Sequence, residues 1–139
     1  MNNSTTFQND NDLVVPLEAN AFYAVDAFLM WTSGTVPDFK MQFIGPLNVV
    51  MFLTFSTWSM AAAAPNQLAD TRAVYVQGFV SLPGQGSNPQ TQGQWTRITG
   101  HVNTLGSAGN FQLQWAQLNL NASDTVVYAG SWLRVDRTG

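Results

Sequence analysis

The chain has 139 residues, of which only 9% are charged, and its formal net charge is −3. This length suits one domain with its own core, and a charged fraction far below the ~25% of an average soluble domain favours burial against other subunits. The lack of a basic surplus disfavours nucleic-acid binding. The absence of cysteine excludes disulfides, thiolate catalysis and cysteine-type zinc sites.

The first twelve residues are polar and contain a single aromatic side chain, Phe7. Such a segment buries too little apolar surface to offset the entropy lost when its backbone is ordered. Residues 1–12 are therefore predicted to form an extended arm, followed by a domain that spans residues 13–139. We expect the arm to lie along a partner protein, with Phe7, Asn9 and Asp10 as its contact residues.

Residues 21–32 are rich in aromatic and β-branched side chains, and residues 33–38 carry turn signals. Apolar side chains then alternate from Phe39 to Phe43 within a run that ends at Ile44, and the two runs are predicted to pair as a hairpin. Residues 47–57 are apolar on both faces, which predicts a strand buried between layers or between subunits. The longest apolar stretch is far shorter than the ~20 residues that span a bilayer, so no membrane segment is predicted.

Residues 58–72 include a run of four alanines, but Pro65 stops it too early for a stable helix, and a loop is predicted. Strands are predicted at 73–82, 95–104 and 111–118, with a loop at 83–93. Residues 113–117 and 129–135 are predicted to be neighbouring strands.

About eight short strands without a good helix predict an all-β fold, a single-domain antiparallel β-sandwich that is jelly-roll-like. The side chains predicted to form its core are Phe22, Phe28, Phe43, Phe79, Phe111, Leu113, Trp115 and Leu133.

Candidate catalytic and metal-binding residues are few. His101 is the only histidine, and no partners for a triad or a metal cluster can be identified around it. Residues 9–12 alternate oxygen-bearing side chains like the start of a calcium loop, but neither counting frame supplies the required glycine and glutamate. No metal site, cofactor or enzymatic activity is predicted.

The five tryptophans could form stacking platforms for sugars, although four of them lie in apparent strands where a core position is the default. Trp58 is the exception, because it stands at a strand end before the alanine run. Trp58 and Met60 are therefore predicted to belong to an interface.

Two stretches carry a resemblance to a known family. Residues 9–43 contain "LEAN" and "SGTVPDFK", and residues 106–137 contain "LQWAQ" and the terminal "AGSWLRV". They resemble the opening strands and the C-terminal end of tailed-bacteriophage virion proteins, which include capsid decoration or cement proteins and head or tail fibre modules. The resemblance implies a location on the capsid surface of the virion, and it brings no enzymatic residues with it.

The expected function is that of a capsid decoration protein that binds the major capsid protein and stabilises the assembled head. A homo-oligomer is expected from the doubly apolar strand and the low charge, and a homotrimer would suit three-fold positions on a shell. The alternative is a fibre or spike domain that binds a receptor or a glycan.

Overall fold

The structure, a computed structural model, describes residues 1–59, 67–75, 79–82 and 94–139, with the backbone alone described for 58–59, 67–75 and 79–82. These residues form no helix and ten strands: β1 (Gln8–Leu17), β2 (Phe22–Thr32), β3 (Phe39–Ile44), β4 (Val50–Ser59), β5 (Gln67–Tyr75), β6 (Phe79–Leu82), β7 (Gln94–Asn103), β8 (Gly109–Gln117), β9 (Val126–Val127) and β10 (Trp132–Arg137).

The strands build two antiparallel sheets. The smaller sheet has the order β1-β8-β3-β6, and the larger sheet has the order β10-β2-β7-β4-β5, with β9 pairing to β2 beside this path. One cluster of buried apolar side chains, drawn from both sheets, fills the space between them. The predicted all-β antiparallel sandwich is confirmed.

Period-two alternation explains how these residues form a sandwich. Successive side chains of a strand point to opposite faces, so a strand on the core can bury every second residue, as β2 and β3 do. In β2 the buried positions include Val25, Leu29 and Trp31, and in β3 they include Phe39 and Phe43. The two sheets meet through these rings: Trp31 stacks on Phe39 with 4.5 Å between ring centroids.

The predicted hairpin of residues 21–32 with residues 39–44 is wrong. β2 pairs with β7 and β10 in the larger sheet, whereas β3 pairs with β8 and β6 in the smaller one. The turn at 33–38, held by a 2.8 Å hydrogen bond from Ser33 Oγ to the Asp38 carbonyl, carries the chain from one sheet to the other. Both strands present an apolar inner face, so they pack across the core instead of sharing a ladder.

The predicted pairing of residues 113–117 with 129–135 is also wrong. β8 lies in the smaller sheet between β1 and β3, and β10 lies at the edge of the larger sheet against β2. The intervening loop therefore crosses between the sheets, as the turn at 33–38 does.

The loop predicted at residues 58–72 is wrong at both of its ends, because residues 58–59 belong to β4 and residues 67–72 to β5, while residues 60–66 lie outside the described residues. Residues 67–75 form β5 and pair with β4, with one irregularity of register at Thr57 and Trp58. Residues 67–72 are mostly polar and show no apolar alternation, so only their backbone pairing with β4 reveals this part of the strand. The strand predicted at 73–82 is divided between β5 and β6, and the loop predicted at 83–93 lies outside the described residues.

The predicted core is correct for Phe43, Phe111 and Leu113, which are buried, while Trp115 and Leu133 pack partly buried against the core. Phe22 is 44% exposed and Phe28 is only half-buried, so this part of the prediction is wrong. Both point outwards from β2, on the face opposite to Trp31. The Phe79 side chain lies outside what is described.

The strand predicted to be apolar on both faces corresponds to β4 and the residues just before it. Its inner face is buried through Met51, Leu53 and Phe55. Its outer face is not covered by the described part of the chain, because Phe52 is 52% exposed and Thr54 is exposed as well. The described residues therefore bury only the inner face of this strand.

Candidate interaction surface

The predicted arm belongs largely to the sandwich. β1 starts at Gln8 and pairs with β8, so the domain boundary predicted after residue 12 falls inside a strand and is corrected. The residues before β1 run along the loop after β8: Asn3 N donates to Asn121 O at 2.8 Å, and Gln117 N donates to Ser4 O at 3.3 Å. The polar composition misled the prediction, because hydrogen bonds instead of apolar burial hold this segment.

Phe7, Asn9 and Asp10 all contact their own chain. The Lys40 ammonium lies 4.7 Å from the centroid of the Phe7 ring, in a cation–π contact. Asn9 Oδ1 accepts a 2.6 Å hydrogen bond from Gln114 Nε2. Their predicted contact with a capsid protein stays a prediction, and the structure gives each of them a role within the fold.

Asp10 organises the irregular part of β1, where the register on β8 shifts between Asn9 and Val14. Its Oδ1 accepts hydrogen bonds from the backbone N–H groups of Asp12 at 3.1 Å and Leu13 at 3.0 Å. Its Oδ2 accepts a 3.2 Å hydrogen bond from Trp115 Nε1. One carboxylate therefore satisfies three donors around the bulge of the strand.

We expect Asp10→Ala to lower the free energy of unfolding of the isolated protein by about 1–2 kcal/mol, because it leaves partly buried donors without acceptors. Urea denaturation measures this. Asp12→Ala is the matched control, since Asp12 is exposed, and its effect should stay within about 0.5 kcal/mol. Equal effects of the two substitutions would show that Asp10 has no structural role.

The predicted interface residues Trp58 and Met60 are not brought to a described site. Trp58 lies near the end of β4, with its backbone opposite Trp95 of β7 and Leu68 of β5. Its side chain is outside the described part of the structure, and so is the whole of Met60.

The outer face of the larger sheet carries a set of aromatic and large apolar side chains. We call it the aromatic face, and its large members are Phe22, Phe28, Met30, Phe52, Trp95 and Trp132. Directly paired residues of antiparallel strands project to the same side. The pairings of Phe28 with Trp132 and of Met30 with Trp95 therefore make the face continuous across three strands.

Charges on the aromatic face are paired within the chain. Arg97 donates to Asp26 Oδ2 at 2.5 Å, and Arg134 lies 2.6 Å from Asp136. The other oxygen of Asp26, Oδ1, is buried and accepts no hydrogen bond from the described residues. The Arg97 guanidinium also lies 5.1 Å from the centroid of the Trp132 ring. The two acids balance the two arginines, so this group of residues has no net charge.

One corner of the aromatic face is built around His101. The His101 ring stacks on Phe22 with 5.6 Å between centroids, and the register places Phe52 opposite His101 on β4. In the described ranges, no group of three histidine, cysteine, aspartate or glutamate side chains could hold a metal ion. His101 thus belongs to an aromatic cluster.

The outer face of the smaller sheet has a different character. Gln42 Nε2 donates to Gln114 Oε1 at 2.6 Å, and Gln114 Nε2 donates in turn to Asn9 Oδ1. This row of amides crosses β3, β8 and β1, so the side chains satisfy one another's hydrogen bonds. The two outer surfaces of the sandwich therefore offer a partner very different chemistry.

The aromatic face was not predicted from the sequence, although a signal for it was present. Asp26 is the one charged residue within β2 and marks the strand's outer side. Counting by twos from Asp26 places Phe22, Phe28 and Met30 on that same side. This alternation predicts large apolar side chains on a surface that also holds a carboxylate.

In the ranges that the structure describes, no helix is long and apolar enough to cross a membrane. Comparison of the chain with known family models, curated proteins and solved structures finds no match.

Proposed function

We propose that the chain is a non-enzymatic structural protein of a phage virion, a capsid decoration protein that binds the assembled head. The observation that carries this proposal is the nested strand pairing of the sandwich: β1 with β8, β2 with β7, β3 with β6 and β4 with β5. This nesting supports the jelly-roll-like architecture that we propose for the sandwich, an architecture common in viral capsid and lectin domains. A shared fold does not by itself determine a function, so the proposed function also needs support from the chemistry of the surface.

The surface supports a role in assembly. Apolar side chains stand exposed at the loop tips of both ends of the sandwich, where Val36 and Leu120 are 59% and 67% exposed at one end and Leu47 is 74% exposed at the other. Asn119 joins the first two loops, because its Nδ2 donates to the Val36 carbonyl at 3.1 Å. Exposed apolar tips of this kind suit docking on another protein.

The mechanism requires no chemistry. A protein that binds only the assembled shell stabilises that shell by mass action, and at a free concentration of 100 times Kd the gain is about 2.7 kcal/mol per site. Summed over many sites, this binding free energy stabilises the assembled head against expansion and rupture. The major capsid protein is the partner in this proposal, and no cofactor takes part.

The second candidate is a fibre or spike domain that binds a glycan. One observation favours it: Trp132 is 38% exposed and lies beside Arg97, which is paired with Asp26. An aromatic ring flanked by charged hydrogen-bonding groups can stack on a sugar and orient its hydroxyls.

The test is a cosedimentation experiment with isolated heads and isolated tails of the virus that encodes the chain. We expect saturable binding to heads and none to tails, because a decoration site exists only on the shell. Binding to tails alone would favour the fibre candidate, and a glycan array would then identify the sugar. Binding to neither particle contradicts both proposals.

A further inference from the structure

The exposed aromatic face raises the question of what covers it. We propose that the occupant is a second copy of this chain, so that the outer face of the larger sheet is the contact surface between subunits. This inference deepens the proposed structural role, on which it rests, by naming the surface that makes the oligomer. It is tested on the purified protein alone, so its failure and a failure to bind heads are separate results.

The composition of the aromatic face matches that of a protein–protein interface core. Such cores are enriched in phenylalanine, tryptophan, methionine and arginine, and they are depleted in lysine, glutamate and aspartate. The described side chains of the face include three phenylalanines, two tryptophans, a methionine and two arginines, with no lysine or glutamate, and its two aspartates are paired with the two arginines. Lys40, by contrast, lies on the smaller sheet.

The charge pattern favours an identical partner. Asp26 pairs with Arg97, and Arg134 pairs with Asp136, so the charged groups of the face are balanced inside one subunit. An acidic or basic partner would gain little from such a surface. Two copies, however, can bring these faces together without repulsion between like charges at the contact, and their aromatic side chains can interdigitate.

The size of the face is also sufficient. Five strands spaced by about 4.8 Å, each about nine residues long at about 3.3 Å per residue, give a surface of roughly 700 Å². A standard stable interface buries about 800 Å² on each partner, so one face of this sheet is of the right order. The loop tips, such as those at Leu47 and Leu120, stay outside this area and are free to meet the shell.

Face-to-face contact is favoured over strand addition at the two edges whose side chains are described. The edge strand β10 is six residues long and carries Arg134, Asp136 and Arg137. The other edge, β1, contains Pro16 and the irregular register after Asn9. Short length, charges, proline and bulges all oppose pairing with another strand. A second copy therefore meets this chain through its sheet face.

The experiment measures self-association by sedimentation equilibrium from micromolar to millimolar concentration. We expect an oligomer for the natural sequence and an association about tenfold weaker, or more, for Phe52→Thr, because truncating a large exposed aromatic side chain of the face removes contact with the second copy. Threonine keeps the β-propensity of the strand. Leu120→Thr is the matched control, since Leu120 is exposed on a loop away from the face, and its association should be unchanged.

A second measurement does not depend on truncation. The chain has no cysteine, so Thr99→Cys places a single thiol on the exposed side of the central strand β7, and Leu120→Cys places one on the loop. A short bismaleimide should cross-link the first variant and not the second. A monomer over the whole concentration range, or an oligomer that Phe52→Thr leaves intact and that cross-links only through the loop, would overturn the proposal. If a glycan covers the face instead, the protein is monomeric and sugar quenches its tryptophan fluorescence.

Discussion

Gly100→Ala is expected to destabilise the protein by about 3 kcal/mol or more, and its soluble yield should fall accordingly. Gly100 lies in β7, the central strand of the larger sheet, opposite Leu53 of β4 and Val25 of β2. A Cβ atom at this position would overlap the carbonyl oxygen of Phe52 and lie 2.9 Å from Leu53 Cα.

Both atoms that such a Cβ would meet belong to the backbone of a paired strand, so the overlap cannot be relieved by a side-chain rotation. Relief requires β4 and β7 to separate, which weakens the ladder between them. Replacing Gly106 with alanine is the matched control, because a Cβ atom added there would have nothing within 4 Å. Thermal and urea denaturation should show a loss for Gly100→Ala alone, and a variant as stable as the natural protein would contradict this packing.

The second large effect is expected for Trp31→Ala, which should cost about 3–5 kcal/mol of unfolding free energy. Trp31 is fully buried, and its ring stacks on Phe39 across the two sheets. Its Nε1 donates a 2.9 Å hydrogen bond to Thr96 Oγ1, which lies 2.8 Å from Thr57 Oγ1. The substitution leaves a large cavity and removes the donor to a buried hydroxyl.

Two controls separate these contributions to the Trp31 effect. Trp31→Phe keeps much of the ring volume and loses mainly the hydrogen bond, so about 1–3 kcal/mol is expected. Trp132→Ala removes a tryptophan that is 38% exposed, and the isolated subunit should lose less than with Trp31→Ala. Equal losses at Trp31 and Trp132, measured by urea denaturation under conditions where the protein is monomeric, would contradict the assignment of Trp31 to the core.

The positions of several strands were predictable from the sequence because they depend on local alternation. The predicted run from Phe39 to Ile44 is β3 as observed, and the predicted strands at 21–32, 95–104 and 111–118 match β2, β7 and β8 within two residues at each end. A period of two needs only neighbouring residues to specify it, and the turns between these runs carry glycine, proline and asparagine.

The two faces of β2 were harder to assign. Phe22 and Trp31 are both large and aromatic, yet one is 44% exposed and the other is fully buried. Hydrophobicity cannot separate them when both sides of a strand are apolar. Counting by twos from Asp26 assigns Phe22 to the outer face of β2 and Trp31 to the inner face. Asp26 marks the outer face because a charged side chain is costly to bury.

The sequence by itself determined the all-β class, the positions of most strands and their alternation, because these follow from contacts along a few residues. Only the tertiary structure decided which strands pair. β1 pairs with β8, about a hundred residues away in the sequence, and such pairing depends on the fold of the whole chain and not on neighbouring residues. The same long-range pairing incorporates residues 1–12 into the fold and places β2 and β3 in different sheets. It also brings Phe22, Phe52 and Trp132 to one outer face. Strand formation is local, whereas ladder partners and exposed faces are fixed by the burial of two sheets against each other.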